Sequence, residues 1–368
     1  MATVDDQLVM VYSTHHVYLG RLQAQFGNEV IPYLTNIENG MYAILGRYKS
    51  KTMLTPKIRA EIQKEINELT RTELKAYTTQ YKQNNKEMAE NESIFNAKTL
   101  TGLMADYSAT IPTAAAISKV VRTTPFNLGD GTFTSYQKYV NAYHEQWSSK
   151  IDNAVRAGML PGGSIASITK DIMAQMEVQG RKALASAKTM ARTGTSFYSN
   201  QATKAFVDVN DEVLRGYRFL ATLDSRTSKQ CRSLDQTTYA KDADNIPRLP
   251  LHPNERSTLI YDVDPRFKYD DSEATRAEAF INPKTGKRKV DFVSSQQTYY
   301  ESLKDQSDAV QNSILGKTLA DAFRELDNPE LFAKSLIDST YKPYTMEQLR
   351  DKDNKLAKIL KKQSKTKE

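Results

Sequence analysis

The sequence predicts an α+β protein with a mainly helical N-terminal half, a compact α+β module after it and C-terminal helices. Three observations lead there. Apolar residues recur at three- and four-residue spacings over long stretches up to about residue 215. An aromatic, β-prone run, Tyr217-Arg218-Phe219-Leu220-Ala221-Thr222, then breaks that period and leads into a loop-rich segment with Pro247, Pro250, Pro253 and Pro265. Beyond residue 297 the helical pattern returns. At 368 residues the chain is too long for one ordinary hydrophobic core, so two domains, or one with a long helical extension, are expected.

The first well-signalled helix starts at Thr55, which can cap, with Pro56 in the first helical position. Ile58, Ile62, Ile66 and Leu69 repeat on one face, and Lys57/Glu61 and Lys64/Glu68 form four-apart pairs on the other. Pro112, Pro125 and the turn cluster Asn127-Leu128-Gly129-Asp130-Gly131 interrupt the stretch between residues 107 and 133. A second helix is expected over Ser135 to Ala157, where Tyr136, Tyr139, Val140, Tyr143, Trp147, Ile151 and Val155 share a face. Gly158, Pro161, Gly162 and Gly163 end it. A third runs from about Ser164 to Asn210 through Ile165, Ile168, Ile172, Met176, Ala183, Ala187, Met190 and Ala191. Residues 266 to 298 have few apolar positions and contain the turn Asn282-Pro283-Lys284-Thr285-Gly286-Lys287, which reads as an insertion or exposed hairpin. Helices over Gln297 to Arg324 and Thr345 to Leu360 close the chain.

Hydrophobic residues at 39% and charged residues at 26% are those of a folded chain. No apolar run reaches the roughly 18 residues a bilayer span needs, and the start MATVDDQLVM carries acids where a secretory signal carries positive charge, so neither export nor membrane contact is expected. The single cysteine, Cys231, excludes an intramolecular disulfide and a multi-cysteine zinc cluster, and suits a reducing cytoplasm. A net charge of +7 favours acidic partners, nucleic-acid phosphate or an acidic protein surface, although an ordinary solvated surface also accounts for it. The positive charge gathers at the end, where Lys355, Lys358, Lys361, Lys362, Lys365 and Lys367 read as a helix end running into a frayed tail and as candidate DNA contacts. The 20 tyrosines are scattered and fit helix faces better than a base-stacking groove.

Three segments, in order, resemble the Mu F-like minor head proteins that tailed phages encode beside the portal protein. Met190-Ala191-Arg192-Thr193-Gly194-Thr195, followed by Asn200, is similar to the family's Ala-Arg-Thr-Glu helix, with Gly194 where the glutamate would stand. Phe219 to Cys231, then Leu251-His252-Pro253-Asn254-Glu255-Arg256, resembles the central signature. Asp224, Arg226, Cys231, His252, Pro253, Asn254 and Arg256 are kept, while Glu255 and Ser257 replace two loop cysteines. Tyr299-Tyr300-Glu301-Ser302-Leu303-Lys304-Asp305-Gln306, then Val310-Gln311 and Ile314-Leu315-Gly316-Lys317-Thr318, and finally Tyr344-Thr345-Met346-Glu347-Gln348-Leu349 look like the closing helices. The resemblance implies a head-morphogenesis domain over 186–350, a helical docking region over 1–185 and a basic tail over 351–368. It further implies a virion protein of the head interior, made in the host cytoplasm, with portal protein, major capsid protein and packaged double-stranded DNA as partners. Neither a cofactor nor a small-molecule substrate nor a catalytic residue is expected on this reading.

Two chemical readings of the central motif stay open. Thiolate and imidazole are ligands zinc prefers, so Cys231 and His252 can hold a metal, with Asp224 and Glu255 as oxygen donors. Alternatively the motif only ties a loop: Asp224 accepts from the amides of Ser225 to Thr227 or pairs bidentately with Arg256, and His252 donates to a neighbouring carbonyl. A metal-dependent hydrolase or nuclease centred on Asp224, His252 and Glu255 is the rival class. Against it, the chain has only four histidines, two of them adjacent at His15 and His16, and no nuclease spacing surrounds His252. Cys231 as a nucleophile is disfavoured because its nearest histidine is distant in sequence.

Overall fold

The structure, a computed structural model, describes residues 4–51, 54–104, 107–128, 132–159, 164–264, 266 and 274–365, apart from the Lys365 side chain. Gly129 to Gly131, Pro161 to Gly163, Pro265 and Lys367, which the sequence assigns to turns and to the basic tail, lie outside the described residues. The fold is α+β with a helical N-terminal region.

Six helices build that region: α1 (Val4–Asn28), α2 (Ile31–Gly46), α3 (Pro56–Leu103), α4 (Ala114–Thr123), α5 (Tyr136–Gly158) and α6 (Ile165–Val209). A two-residue ladder of β1 (Phe126–Asn127) and β2 (Phe133–Thr134) precedes α5. Side-chain caps fix four of the helix starts. The hydroxyls of Thr55, Thr113, Ser135 and Ser164 accept from the amides of Ile58, Ala116, Lys138 and Ser167 at 3.2–3.3 Å, each satisfying a donor that the first turn leaves orphaned. The apolar stripes then meet: α3, α5 and α6 pack on one another, with α2 against α3 and α1 against α6. Ile62, Ile66, Val140, Trp147, Ile151, Ile172 and Ala187 are buried in one core, with Ile58 and Leu69 at its margin. Tyr77, Tyr81 and Tyr143 are buried there too, so these tyrosines act as core residues. Gly194 is explained at this crossing, because a Cβ there would run into the Tyr81 hydroxyl. That hydroxyl donates to the Met190 carbonyl at 3.0 Å, so a longer side chain at 194 has no room here.

Helix α6 runs unbroken through residues 185 and 186, so the expected domain boundary falls inside a helix. The first turns of α1 also belong to the second half. Val4, Leu8, Val9 and Tyr12 enter the core of the β-module. Asp5 accepts from the Val263 amide at 3.2 Å and pairs with Arg218 at 3.1 Å, and Asp6 accepts from Ser295 and Gln296 at 3.1 and 3.0 Å.

The module contains β3 (Leu214–Leu220), β4 (Leu223–Asp224), α7 (Lys229–Leu234), β5 (Thr238–Ala240), β6 (Thr258–Val263), β7 (Thr275–Ile281) and β8 (Arg288–Ser294). One antiparallel sheet has the order β5-β3-β6, with Tyr217 opposite Tyr239 on one side and Tyr261 on the other. The second has the order β4-β7-β8, with β4 parallel to β7 and β7–β8 a hairpin. The hairpin turn lies at Asn282–Lys287, closed by Gly286 at φ +65°. The expectation of an exposed hairpin holds for β8 but not for β7. Arg276 on β7 is fully buried and pairs with Asp235 at 2.9 Å, so charge there is internal wiring rather than solvated surface.

The expected helix over Gln297 to Arg324 is three helices, α8 (Tyr299–Lys304), α9 (Asp308–Leu315) and α10 (Lys317–Leu326). Gly316 at φ +77° and ψ 147° separates the last two, in a region all but reserved for glycine that costs an L side chain about 1–3 kcal/mol. The chain continues through α11 (Pro329–Ser335), and the expected helix over Thr345 to Leu360 is likewise divided, into α12 (Met346–Asp351) and α13 (Lys355–Lys365). The end of the chain is thus not a frayed tail as far as Lys365. Leu356 and Leu360 of α13 are buried in a third core with Leu319 and Phe323 of α10. No helix of the described residues is long and apolar enough to cross a membrane.

Candidate functional site

The motif residues meet where the end of β4, the start of α7 and the loop before β6 come together against α6. Asp224 ends β4 and is buried. It accepts from the Arg226 amide at 2.9 Å and the Thr227 hydroxyl at 3.1 Å. Both its oxygens also take a nitrogen of Arg256 at 2.7 Å, so the two expected forms of loop-tying occur together. Burial alone would raise the Asp224 carboxyl, but the hydrogen bonds and charge of Arg256, helped by Arg226, outweigh it and hold it below its ordinary value. Arg226 itself is exposed and stands 3.7 Å away.

The loop 252–257 is fastened to α6 by the first motif segment. Arg192 donates to the Asn254 side chain at 3.1 Å, and the Asn254 amide donates to Thr193 at 3.1 Å. Asn254 has φ +62°, a left-handed conformation that asparagine tolerates better than most residues. Asn200 accepts from the Leu259 amide at 2.7 Å. The third segment reaches the same place: the Tyr299 hydroxyl donates to the Asp224 carbonyl at 2.8 Å, and Arg232 donates to the Ile314 carbonyl at 3.1 Å.

Between the loop and α7, Cys231, His252 and Glu255 converge, and they are the group among the described residues able to hold a metal ion. Cys231 Sγ lies 3.4 Å from His252 Nε2 and 3.2 and 3.4 Å from the Glu255 oxygens. His252 Nδ1 faces the Pro253 carbonyl at 2.9 Å, the neighbouring acceptor expected for it. Asp224 is not in this group, because Arg256 occupies both its oxygens; Cys231 takes the place given to Asp224 in the Asp224–His252–Glu255 set. Ser228, which caps α7 and accepts from the Cys231 amide at 3.2 Å, also stands 3.0 Å from His252 Nε2.

Distance along the chain does not disqualify Cys231 as a nucleophile, since His252 lies within contact of it. Its protonation does. Burial first, and then the Glu255 charge, push the Cys231 thiol well above its ordinary value, the reverse of what an attacking thiolate needs. The cleft over the cluster measures about 20 Å³, room for one water. A larger cavity of about 300 Å³, lined by residues including Asn200, Lys204, Tyr217 and Arg248, shares none of its lining with the cluster.

His16 and His15 are the residues that sequence reading passes over. His16 is half-buried on α1 and lines a small gap with Glu255 and Arg256. Desolvation, then the Arg256 charge, lowers its pKa to about 4, so it is neutral at pH 7. His15 stacks on Phe95 at 3.6 Å and meets the buried Glu92 at 2.7 Å, with Ser199 donating to the other Glu92 oxygen at 3.0 Å. Nothing local in the sequence marks either residue, since their partners lie on α3, α6 and the motif loop. The candidate DNA contacts Lys355, Lys358, Lys361 and Lys362 are exposed on α13, with Lys362 paired to Glu325 at 3.2 Å; the Lys365 side chain lies outside the described residues. No family model, curated protein or solved structure matches the chain.

Proposed function

We propose that the chain is a minor head protein of a tailed phage, held beside the portal and the inner capsid wall, and acting in head assembly and in packaging or ejection of the genome. The observation that carries this reading is the convergence of the three resembling segments. Arg192 and Asn200 from the first, Asp224, Asn254 and Arg256 from the second, and Tyr299 and the Ile314 carbonyl from the third share one continuous set of contacts. A set of unrelated local matches would have no reason to meet in space. Motif residues spent on holding a loop fit a scaffold and partner-docking role. The exposed lysines of α13 supply a surface for packaged DNA.

The test is affinity purification of the tagged full chain from infected cells. Recovery of portal or major capsid protein in stoichiometric amount is the expected result, and recovery of the chain with neither rejects the reading. The DNA component is separable. Lys355→Gln, Lys358→Gln and Lys361→Gln keep the buried stripe of α13, and should flatten the dependence of log affinity on log salt by about 0.9 per lysine that touches phosphate. An unchanged slope removes these lysines from DNA contact.

A further inference from the structure

We propose that Cys231, His252 and Glu255 form a mononuclear zinc site, completed by one water held at Ser228. Geometry and donor chemistry carry the proposal, independently of the phage-head reading. Cys231 Sγ, His252 Nε2 and Glu255 Oε2 form a triangle whose sides are 3.4, 3.4 and 3.4 Å. A tetrahedral zinc ion with bonds of about 2.3 Å to sulfur and about 2.0–2.2 Å to nitrogen and oxygen requires edges of about 3.3–3.6 Å. The three donor atoms therefore stand already at the spacing of one face of that tetrahedron.

The atoms behind the donors are arranged as a ligand set needs. His252 Nδ1 stands 2.9 Å from the Pro253 carbonyl, so the proton resides on Nδ1 and the Nε2 lone pair points at the cluster. Glu255 Oε1 accepts from the amides of Arg256 at 3.1 Å and Ser257 at 2.9 Å, which fixes the carboxylate; Oε1 stands 3.2 Å from Cys231 Sγ, and Oε2 stands 3.4 Å from both Sγ and His252 Nε2. Glu255 is only 1% exposed, an expensive place for a carboxylate unless a cation meets it. A thiolate, a carboxylate and a neutral imidazole bring two negative charges, which balance Zn²⁺. On binding, the thiol releases its proton to solvent and sulfur donates its electron pair to the metal; no redox change is involved. The cleft of about 20 Å³ bordered by Ser228, Cys231, His252 and Glu255 has room for the water that would complete the set, and Ser228 Oγ, 2.9 Å from Sγ and 3.0 Å from Nε2, is near enough to hydrogen-bond it.

The full chain, stripped with chelator under reducing conditions, is titrated with Zn²⁺ alone and separately with Co²⁺. The expected result is one ion per chain, with tetrahedral cobalt bands and a thiolate-to-cobalt charge-transfer band. Cys231→Ser should abolish the charge-transfer band. His252→Ala and Glu255→Gln should each weaken zinc binding roughly a hundredfold or more, given that even outer-shell losses cost ten- to a hundredfold. Lys64→Ala, exposed on α3 and outside the site, should leave affinity unchanged. Because Cys231→Ser also puts a hydroxyl into a buried position, Glu255→Gln, which keeps shape and both amide contacts, is tested by melting as well. Zinc should raise the melting temperature of the native chain and not that of Glu255→Gln. Failure to take up one ion, an octahedral cobalt spectrum without the thiolate band, or equal zinc affinity in Glu255→Gln overturns the proposal.

Discussion

The helical region and the β-module are held together by different physics. In the region of α3, α5 and α6 the internal contacts are apolar stripes and aromatic pairs, such as Tyr77 against Tyr143 at 5.7 Å and Tyr136 stacked on Phe197 at 5.7 Å. In the module the decisive contacts are ion pairs and charge-assisted hydrogen bonds between residues far apart in the chain: Arg276 with Asp235, Arg256 with Asp224, Arg218 with Asp5. A truncated stripe leaves a cavity that its neighbours fill only in part, whereas a buried charge that loses its partner is left uncompensated. The two losses differ less in size than in what can repair them.

The largest test of this difference is Arg276→Ala, which strands Asp235 and should cost about 3–5 kcal/mol in denaturant unfolding. Trp147→Ala in the helical region should cost a similar ~3–5 kcal/mol through its cavity. The two separate on compensation. Replacing Arg276 and Asp235 together by Met and Leu should recover most of the loss, because the charges go as a pair. A second truncation beside Trp147 should only deepen it. If the double replacement in the module is as damaging as the single one, the contrast fails.

Next in size is Arg256→Ala, expected to cost about 2–3 kcal/mol through the loss of two charge-assisted bonds to Asp224. The pH dependence sharpens it. The folded Asp224 carboxyl is held below its unfolded value of about 3.9, so its contribution is complete above that pH and is lost as pH falls through the lower folded value. Arg256→Ala should flatten this acid limb of the stability curve, and an unaltered limb would show that Asp224 is not the group responsible.

These two regions also differ in how readable they are from sequence. Caps at Thr55, Ser135 and Ser164 and the stripes behind them are local, so α3, α5 and α6 follow from spacing alone. Spacing also joins α8, α9 and α10 into one helix, because apolar periodicity carries no sign of the left-handed Gly316. It leaves β7 as surface because Arg276 resembles any exposed arginine until Asp235 is seen opposite it. At the site, the Asp224–Arg256 pair is readable from residue type, while the proximity of Cys231 to His252 and the approach of His16 depend on how α1 and the loop dock. No spacing rule encodes that docking.

His16 should have a smaller effect. Its folded pKa of about 4 lies below the unfolded value of about 6.5, so it favours folding above pH 6.5, and that contribution is lost as pH falls from about 6.5 toward 4. In His16→Gln the stability curve should be flatter across this window, by about 1–2 kcal/mol. A curve unchanged between pH 6.5 and 4 would mean that His16 is solvated and that α1 does not seal the back of the site.

The smallest effect isolates backbone from side chain at the loop. Asn254 sits at φ +62°, and its side chain receives a hydrogen bond from Arg192 at 3.1 Å. Asn254→Ala loses that bond and forces an alanine into the left-handed region, at a cost of about 1–2 kcal/mol. Asn254→Gly loses the same bond but keeps the conformation freely, and should cost only a few tenths of a kcal/mol, since the bond is exposed. The difference between the two variants, read by thermal unfolding, measures how firmly the loop is held. Equal costs would mean that the Arg192 bond, and not the turn, fastens the loop to α6.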